Sequence, residues 1–442
     1  MLGCARSLCW EDNMRTASRS WTGAAGWLLL LVLPLAAPAR AGEGGKVYDK
    51  IDVFAQVLHA VRSSYVDQVS AEELIYGAIR GMLRTLDPHS SFMTPKQYRS
   101  MQEDTEGHFG GVGIELEARD GGLVVVSPID DTPAARAGIE AGDRLVKIDG
   151  KSTEEMDTAQ AARLIRGVPG TKVVLTMDRA GFEKPRDFIL IRQRIRLNPV
   201  NGFMPLPGYA VIRIRAFQER TERYMMETLK KLTKQAGGKL RGVVLDLRNN
   251  PGGLLDQAIR VADRFIADGL LLETRGRARI MQKTYAHRRG TEPHYPMVCL
   301  VNGGSASAAE IVAGALQDHG RAVIMGTRSF GKGSVQKVID LRDGSGLKLT
   351  IARYYTPAHR SIQEEGIVPD VMVPAEEPAD QAEVRITREI DLRGHLKRDQ
   401  PSSAERRLLD AIRDYQLRTA LSTLRVWEKF SGQGADAGAG KK

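Results

Sequence analysis

Cysteine is scarce in this sequence, with three residues among 442. Cys4 and Cys9 stand ahead of an N-terminal apolar run, and Cys299 is the one cysteine farther along the chain. A disulfide within a chain that has lost its N-terminal residues is therefore excluded. Because Cys299 stands inside the apolar run MVCLV, we expect it to pack in a strand rather than to act as a nucleophile.

Metal-ligand spacings and nucleic-acid-binding patterns are also missing. No predicted helix carries His-x-x-x-His, and no cluster of acids and histidines has ligand spacing, so we expect no metal and no cofactor. The formal net charge is +10, but acidic residues are interleaved with the basic ones and no basic stripe with aromatic residues occurs. We therefore expect no nucleic-acid partner.

The apolar run near the N-terminus is too short to cross a bilayer. Residues 27–37 (WLLLLVLPLAA) number eleven, whereas a membrane-spanning helix needs ~20. Arg15 and Arg19 precede the run and an Ala-Arg-Ala pattern ending at Ala41 follows it, which predicts a secretory signal peptide over residues 1–41. An uncleaved anchor stays open as an alternative, and so does Met14 as the true start.

Hydrophobic periodicity divides the rest of the chain into four regions. Apolar residues recur three and four positions apart in residues 46–105, which predicts helices, and residues 376–442 are charged and mostly helical in pattern, with a disordered tail from 431. Residues 106–182 alternate strand-like segments with glycine turns, and residues 186–375 repeat a strand–turn–helix pattern. The predicted fold is an α/β mixed-sheet core with an inserted small β domain and helical N- and C-terminal regions.

The small β domain resembles a PDZ domain. The resemblance rests on a Gly-Gly-Val-Gly-Ile loop at 110–114, an Ala-Gly-Asp turn at 141–143 and a helix that ends near Arg166. Such domains add an extended peptide to an open strand edge, and successive backbone N–H groups can cradle its C-terminal carboxylate. The peptide-binding residues expected on this basis are Gly111, Val112, Gly113, Ile114, Leu116 and Ile165, with Arg166 as a candidate sensor of the bound peptide. A small β domain without a ligand is the alternative.

Two serines stand at a predicted strand-to-helix junction, in VNGGSASAAEIVAGALQD at residues 301–318. A helix N-terminus leaves backbone N–H groups free and carries partial positive charge, which stabilises a developing oxyanion. The small neighbours would let a peptide carbonyl approach Ser305 or Ser307 closely. The residues alone also allow either serine to be an N-cap.

Lys332, in GTRSFGKGSVQ at residues 326–336, is the candidate proton acceptor. The stretch approaches a phosphate-binding loop, but Gly333 stands where a magnesium-binding Ser or Thr is needed. No acid lies within the stretch, and apolar surroundings would lower the pKa of the Lys332 amine. Gln336 could orient this amine from a helical turn, whereas an extended strand would hold the two residues ~13 Å apart at Cα. A solvated lysine is the alternative.

Together these stretches resemble the carboxyl-terminal processing peptidases, family S41, which are tail-specific proteases with a Ser–Lys dyad. The segments LDPHSSFMTPKQY, VVLDLRNNPGGLL and YYTPAHRSIQEEGIVPD agree in order, and the resemblance runs from about residue 46 to residue 370. It implies Ser307 as nucleophile, Lys332 as general base and Gln336 as the residue that orients the lysine. It also implies oxyanion donors at the N–H groups of Ala308 and of the Gly252–Gly253 turn.

We therefore expect an exported, periplasmic serine endopeptidase that recognises protein C-termini and works through an acyl-enzyme. Its expected partners are protein substrates with accessible C-termini and further copies of itself, while an adaptor protein and a peripheral position at the inner membrane stay open. A Ser–His–Asp protease using His319 or His359 is one alternative, although twelve residues of helix would separate Ser307 from His319 by ~18 Å. A catalytically inactive PDZ scaffold is the other.

Overall fold

A computed structural model describes residues 43–119, 122–277, 281–376 and 404–436. The signal peptide predicted over residues 1–41 lies outside these ranges. The chain divides into two compact units, one ending at Leu74 and the other beginning at Ile75. Within the described ranges, no helix combines the length and the apolar character needed to cross a membrane.

The N-terminal region is helical except for one short strand. Its elements are α1 (Glu43–Ser64), α2 (Ala71–Arg84), β1 (Ser91–Met93) and α3 (Pro95–Glu106). Thr94 and Gln97 form a reciprocal capping box at the start of α3, and Gly107, with φ 70°, ends the helix. The prediction of helix throughout 46–105 is wrong at β1, because three residues are too few to show a period of two. Phe92 is buried there.

The inserted domain is built on an antiparallel sheet. Its elements are β2 (His108–Gly111), β3 (Ile114–Arg119), β4 (Gly122–Pro128), α4 (Pro133–Arg136), β5 (Arg144–Ile148), β6 (Lys151–Ser152), α5 (Thr158–Ile165), β7 (Lys172–Asp178), β8 (Arg186–Ile191) and β9 (Gln193–Arg196). The strand order is β3-β4-β5-β7-β8, with β6 on β5, and β2 pairs with β9 in a separate two-stranded ribbon. The sheet therefore extends beyond the predicted boundary at residue 182. β8 lies past that boundary, after a turn that contains Gly181 and Pro185.

The α/β core contains two sheets. Its elements are β10 (Val200–Leu206), β11 (Tyr209–Ile214), α6 (Thr221–Gln235), β12 (Gly242–Asp246), α7 (Leu255–Asp263), β13 (Leu270–Gly276), β14 (Met281–Tyr285), β15 (Met297–Val301), α8 (Ala308–Asp318), β16 (Val323–Gly326), β17 (Ser334–Asp340), β18 (Gly346–Tyr355) and β19 (Val371–Met372). The larger sheet has the order β10-β11-β12-β15-β16-β19 and is parallel except for the β10–β11 pair. The other sheet joins β1, β18, β13 and β14, with β17 on β18, and is antiparallel.

Both faces of the larger sheet are covered, which explains its continuous apolar strands. Every residue of β12 and β15 is buried, as expected for parallel strands between two helical layers. Val243 and Leu245 pack with α6, α7 and α8, while Val244 packs on the opposite face with α10 (Tyr415–Asp436). Cys299 is buried in β15, as predicted.

The C-terminal region adds the shorter helix α9 (Ala404–Asp410) before α10. Arg241 of the core forms ion pairs with Glu405 in α9 and Glu428 in α10. The predicted disordered tail begins at residue 431, but α10 continues to Asp436, and residues 437–442 lie outside the described ranges. The overall class, a mixed α/β core with an inserted β domain and terminal helices, is confirmed.

Candidate active site

The site lies at the carboxyl ends of two neighbouring parallel strands. β12 pairs with β15, so the segments that follow them meet at one edge of the sheet, where open α/β sheets bind ligands. The first segment carries the Gly252–Gly253 turn and the second carries Ser307 at the mouth of α8. Lys332 lies just before β17, and Gln336 lies within it. All of the predicted catalytic and oxyanion residues line one cleft of about 850 Å³, namely Ser307, Lys332, Gln336, Gly252, Gly253 and Ala308.

Only one of the two candidate serines is available to a substrate. Ser305 is fully buried, and its hydroxyl donates to the carbonyl of Leu247 at 2.8 Å and accepts from the N–H of Asn302 at 2.9 Å. Ser307 lines the cleft at the N-cap of α8 with φ 55°. A non-glycine residue held at positive φ costs about 1–3 kcal/mol, and such strain concentrates at functional sites. The geometry thus separates a structural serine from a candidate nucleophile.

Two backbone N–H groups beside Ser307 are free to bind an oxyanion. The N–H groups of Ala308 and Gly253 have no acceptor among the described residues. The N–H of Gly252 instead donates to Asn250 Oδ1 at 2.9 Å. A Cβ at Gly252 would lie 2.8 Å from Ser307 Cβ and 3.0 Å from the Ala308 nitrogen. Gly252 therefore supplies room for the nucleophile. Its N–H, which was predicted to bind the oxyanion, is already used by Asn250 in this structure.

The environment of Lys332 suits a proton acceptor. Its side chain is half-buried, and burial lowers its pKa; the nearby Lys348 cation lowers it further, while Asp87 and Glu310 act in the opposite direction. A lowered pKa is what a lysine needs in order to be neutral and basic near neutral pH. No hydrogen bond or ion pair reaches the Lys332 amine from the described residues, Ser307 included, and the two residues share one cleft.

Gln336 makes its hydrogen bonds to residues other than Lys332. β17 begins at Ser334, so the segment that carries Gln336 is extended rather than a helical turn. The Gln336 amide donates to Ser334 Oγ at 2.8 Å and contacts Thr350 Oγ1 at 3.5 Å. Of the two conformations considered for this segment, the extended strand is the one observed. The role of Gln336 in orienting the lysine stays a prediction.

Glu310 connects the two halves of the site, and the sequence analysis missed it. One carboxylate oxygen accepts from the hydroxyl of Ser329 at 2.6 Å and from the N–H of Gly331 at 2.7 Å. The other accepts from the N–H of Ser307 at 2.8 Å and from the N–H of Lys332 at 2.9 Å. Glu310 is fully buried. The Ser-x-x-Glu spacing typical of a capping box was the available signal.

The turn after α2 is a second part of the site that the sequence analysis did not identify. Asp87 accepts hydrogen bonds from the N–H groups of His89 and Ser90 and from the Ser90 hydroxyl, each at 2.8 Å, and from Thr350 Oγ1 at 3.1 Å. Burial raises the pKa of Asp87, but these hydrogen bonds outweigh it and the net pKa is lowered. Burial and the charge of Lys332 lower the pKa of His89. The segment LDPHSSF thus braces the strand opposite Gln336.

The histidines proposed for a Ser–His–Asp site have other partners. A ring nitrogen of His319 lies 2.7 Å from the Leu270 carbonyl. The ring of His359 lies 2.9 Å from a carboxylate oxygen of Glu273. Neither histidine lines the cleft that contains Ser307.

The predicted peptide groove lies along an open strand edge. β3 is the last strand of its sheet and pairs only with β4 among the described elements, so its other edge can accept a peptide strand. Val112 and Ile165 are buried in the domain core, with Ile114 and Leu116 partly buried against it. The Arg166 guanidinium lies 4.5 Å from the centre of the Phe109 ring. The two remaining predicted residues, Gly111 and Gly113, flank Val112 ahead of β3.

Comparison with known proteins identifies three family models along the chain. The model for peptidase family S41 matches residues 208–373, that for the PDZ domain residues 124–179, and that for the N-terminal domain of the activating protease CtpB residues 36–97. The carboxy-terminal-processing protease of Bartonella bacilliformis is 44% identical over 358 residues, which cover 80% of this chain and 82% of that protein. The carboxy-terminal processing protease CtpA of Bacillus subtilis is 36% identical over 335 residues, or 75% of this chain and 70% of that protein.

Among solved structures, the photosystem II D1 C-terminal processing protease matches with 32% identity and a TM-score of 0.44. The match covers 73% of this chain and 92% of that one.

Proposed function

This chain belongs to peptidase family S41, the carboxy-terminal-processing proteases, and on that premise we propose that it cleaves exported proteins through a dyad of Ser307 and Lys332. It is a serine protease with a PDZ domain. The observation that carries the proposal is the single cleft lined by a serine at a helix mouth and a lysine whose pKa burial lowers.

The chemistry begins with proton transfer from Ser307 to the neutral amine of Lys332. The Ser307 oxygen attacks the peptide carbonyl, and the N–H groups of Ala308 and Gly253 stabilise the oxyanion that forms. Lys332 then returns the proton to the leaving amine, which breaks the peptide bond and leaves an acyl-enzyme. The same lysine then takes a proton from water, which attacks the ester; as the ester C–O bond breaks, the lysine returns that proton to the Ser307 oxygen and the new C-terminus is released.

The PDZ domain selects the substrate in this proposal. Its support is the unpaired edge of β3 together with the loop that carries Gly111 and Gly113. Addition of the substrate's C-terminal residues to β3 would use backbone hydrogen bonds for affinity and neighbouring side chains for specificity. The substrates are thus proteins with accessible C-termini, and self-association and an adaptor protein remain proposals that rest on the sequence.

Export is the third part of the proposal, and its basis is the signal-peptide pattern over residues 1–41. In a bacterium with two membranes it would deliver the protease to the periplasm. N-terminal sequencing of the protein recovered from that compartment is expected to begin at Gly42. A protein that retains its first 41 residues after export would contradict cleavage and support the anchor alternative.

The direct test of the dyad compares three variants on one unstructured peptide substrate. Ser307→Ala and Lys332→Met are expected to lose cleavage while still binding a C-terminal peptide, because the groove and the dyad are different surfaces. Ser152→Ala, at an exposed serine of β6, is the matched control and is expected to retain full activity. Cleavage by Ser307→Ala at the rate of the control would end the proposal.

A further inference from the structure

Tyr354 is a fully buried tyrosine at the floor of the catalytic cleft, near the end of β18. Its N–H donates to the carbonyl of Gly333 at 2.9 Å, and its hydroxyl donates to the carbonyl of Lys332. Two consecutive carbonyls of the lysine-bearing loop are therefore fixed by one residue. The backbone bond is part of the sheet edge, whereas the hydroxyl bond is specific to a tyrosine.

Tyr354 and Ser307 line the same cleft. Burial raises the pKa of Tyr354 strongly, and the Ser307 hydroxyl opposes this. Tyr354 is accordingly a neutral phenol, with one proton to donate and oxygen lone pairs to accept. Its one proton is used by the Lys332 carbonyl, so the hydroxyl fixes the backbone of the lysine-bearing segment.

The position of Tyr354 matters because the two catalytic segments come from different sheets. Ser307 follows β15 of the parallel sheet, and Lys332 precedes β17 of the antiparallel sheet. Glu310 ties the backbones of these segments together from one side. Tyr354 fixes the Lys332 segment through different atoms, the carbonyls of Lys332 and Gly333.

We propose that Tyr354 is a positioning residue for the dyad, whose hydroxyl fixes the Lys332 segment so that the lysine amine can approach the Ser307 hydroxyl across the cleft. The inference rests on the proposed function, since it assigns Tyr354 a task within the same site. Tyr354 acts through Ser307 and Lys332 and does not itself exchange protons with the substrate.

The test removes the hydroxyl and keeps the ring. Tyr354→Phe fills the same space, so a residue needed only for packing would tolerate it. The adjacent Tyr355→Phe is the matched control, because Tyr355 does not line the cleft and its ring stacks with Arg275 at 4.2 Å. Steady-state kinetics on an unstructured peptide, the rate of Ser307 labelling by a phosphonate, and thermal melting are measured for both variants.

The expected result for Tyr354→Phe is a fall in kcat of about tenfold, the order that one lost hydrogen bond produces, with KM unchanged. The labelling rate of Ser307 is expected to fall by the same factor, and Tyr355→Phe to match the unmodified enzyme. The inference would be overturned if Tyr354→Phe had the control's rate of Ser307 labelling and the control's kcat per folded molecule. It would also be overturned if a smaller folded fraction accounted for the whole loss of activity. Failure of the dyad itself would be seen separately, as cleavage by Ser307→Ala.

Discussion

Replacing Glu310 by glutamine tests how the two catalytic segments are held together. In the native site each carboxylate oxygen accepts two hydrogen bonds, which serve the backbones of Ser307, Gly331 and Lys332 and the hydroxyl of Ser329. An amide of the same shape keeps one oxygen and replaces the other by an NH₂ group. That group cannot accept a hydrogen bond.

The orientation of the new amide can be worked out from its neighbours. If the NH₂ group faced Ser307 and Lys332, it would oppose two backbone N–H groups. Facing Ser329 and Gly331 it opposes one, because the Ser329 hydroxyl can turn and accept. We therefore expect the Glu310→Gln variant to leave the Gly331 N–H unsatisfied, at a cost of about 1–3 kcal/mol. At 1.4 kcal/mol per factor of ten, this corresponds to amide exchange about 5- to 150-fold faster.

Hydrogen–deuterium exchange read on peptides that contain Gly331 and Lys332 measures this directly. Glu365→Gln, at an exposed carboxylate in the neighbouring loop, is the control and should leave the exchange unchanged. We expect kcat to fall in Glu310→Gln along with the protection. Equal exchange and equal kcat in both variants would refute the assignment of Glu310 as the connection between nucleophile and base.

Three further predictions concern the base, the glycine turn and the groove. Lys348→Met removes a positive charge that lowers the pKa of Lys332, so the acidic limb of kcat/KM should move to higher pH; an unmoved limb, or a shift to lower pH, would contradict this. Gly252→Ala should abolish cleavage, because φ there is 101° and the new Cβ would lie 2.8 Å from that of Ser307, whereas Gly303→Ala, with open space around it, should retain activity. In the Ser307→Ala background, amidation of a peptide's C-terminal carboxylate should weaken its binding, measured by fluorescence anisotropy, and equal affinities would argue against a carboxylate cradle.

The sequence was most informative where local pattern and tertiary environment agree. The runs GVVLD and MVCLV predict buried strands because both faces of β12 and β15 are covered, and the serine after the second run therefore falls at a helix mouth. The strand β1 could not be predicted because it has only three residues. The position of β8 in the sheet of the inserted domain could not be predicted because a turn typical of a domain boundary precedes it.

Within the site, pairings across long sequence distances were beyond the sequence analysis. Nothing local to Asp87 indicates that it contacts Thr350, and nothing local to Tyr354 indicates that its hydroxyl meets the carbonyl of Lys332. These contacts depend on how the two sheets pack. The residues by themselves likewise left Ser305 and Ser307 both open, and the structure separates them because the Leu247 carbonyl accepts the Ser305 hydroxyl.

The central claim is that the Lys332 amine activates the Ser307 hydroxyl. The most direct measurement is the rate at which a phosphonate labels Ser307 as pH is raised, in the unmodified protein and in Lys332→Met, with the labelled residue identified by mass spectrometry. The account predicts labelling of Ser307 that rises as Lys332 loses its proton, and no detectable labelling in the variant. Labelling of Ser307 in Lys332→Met at the unmodified rate and with the same pH dependence would contradict it.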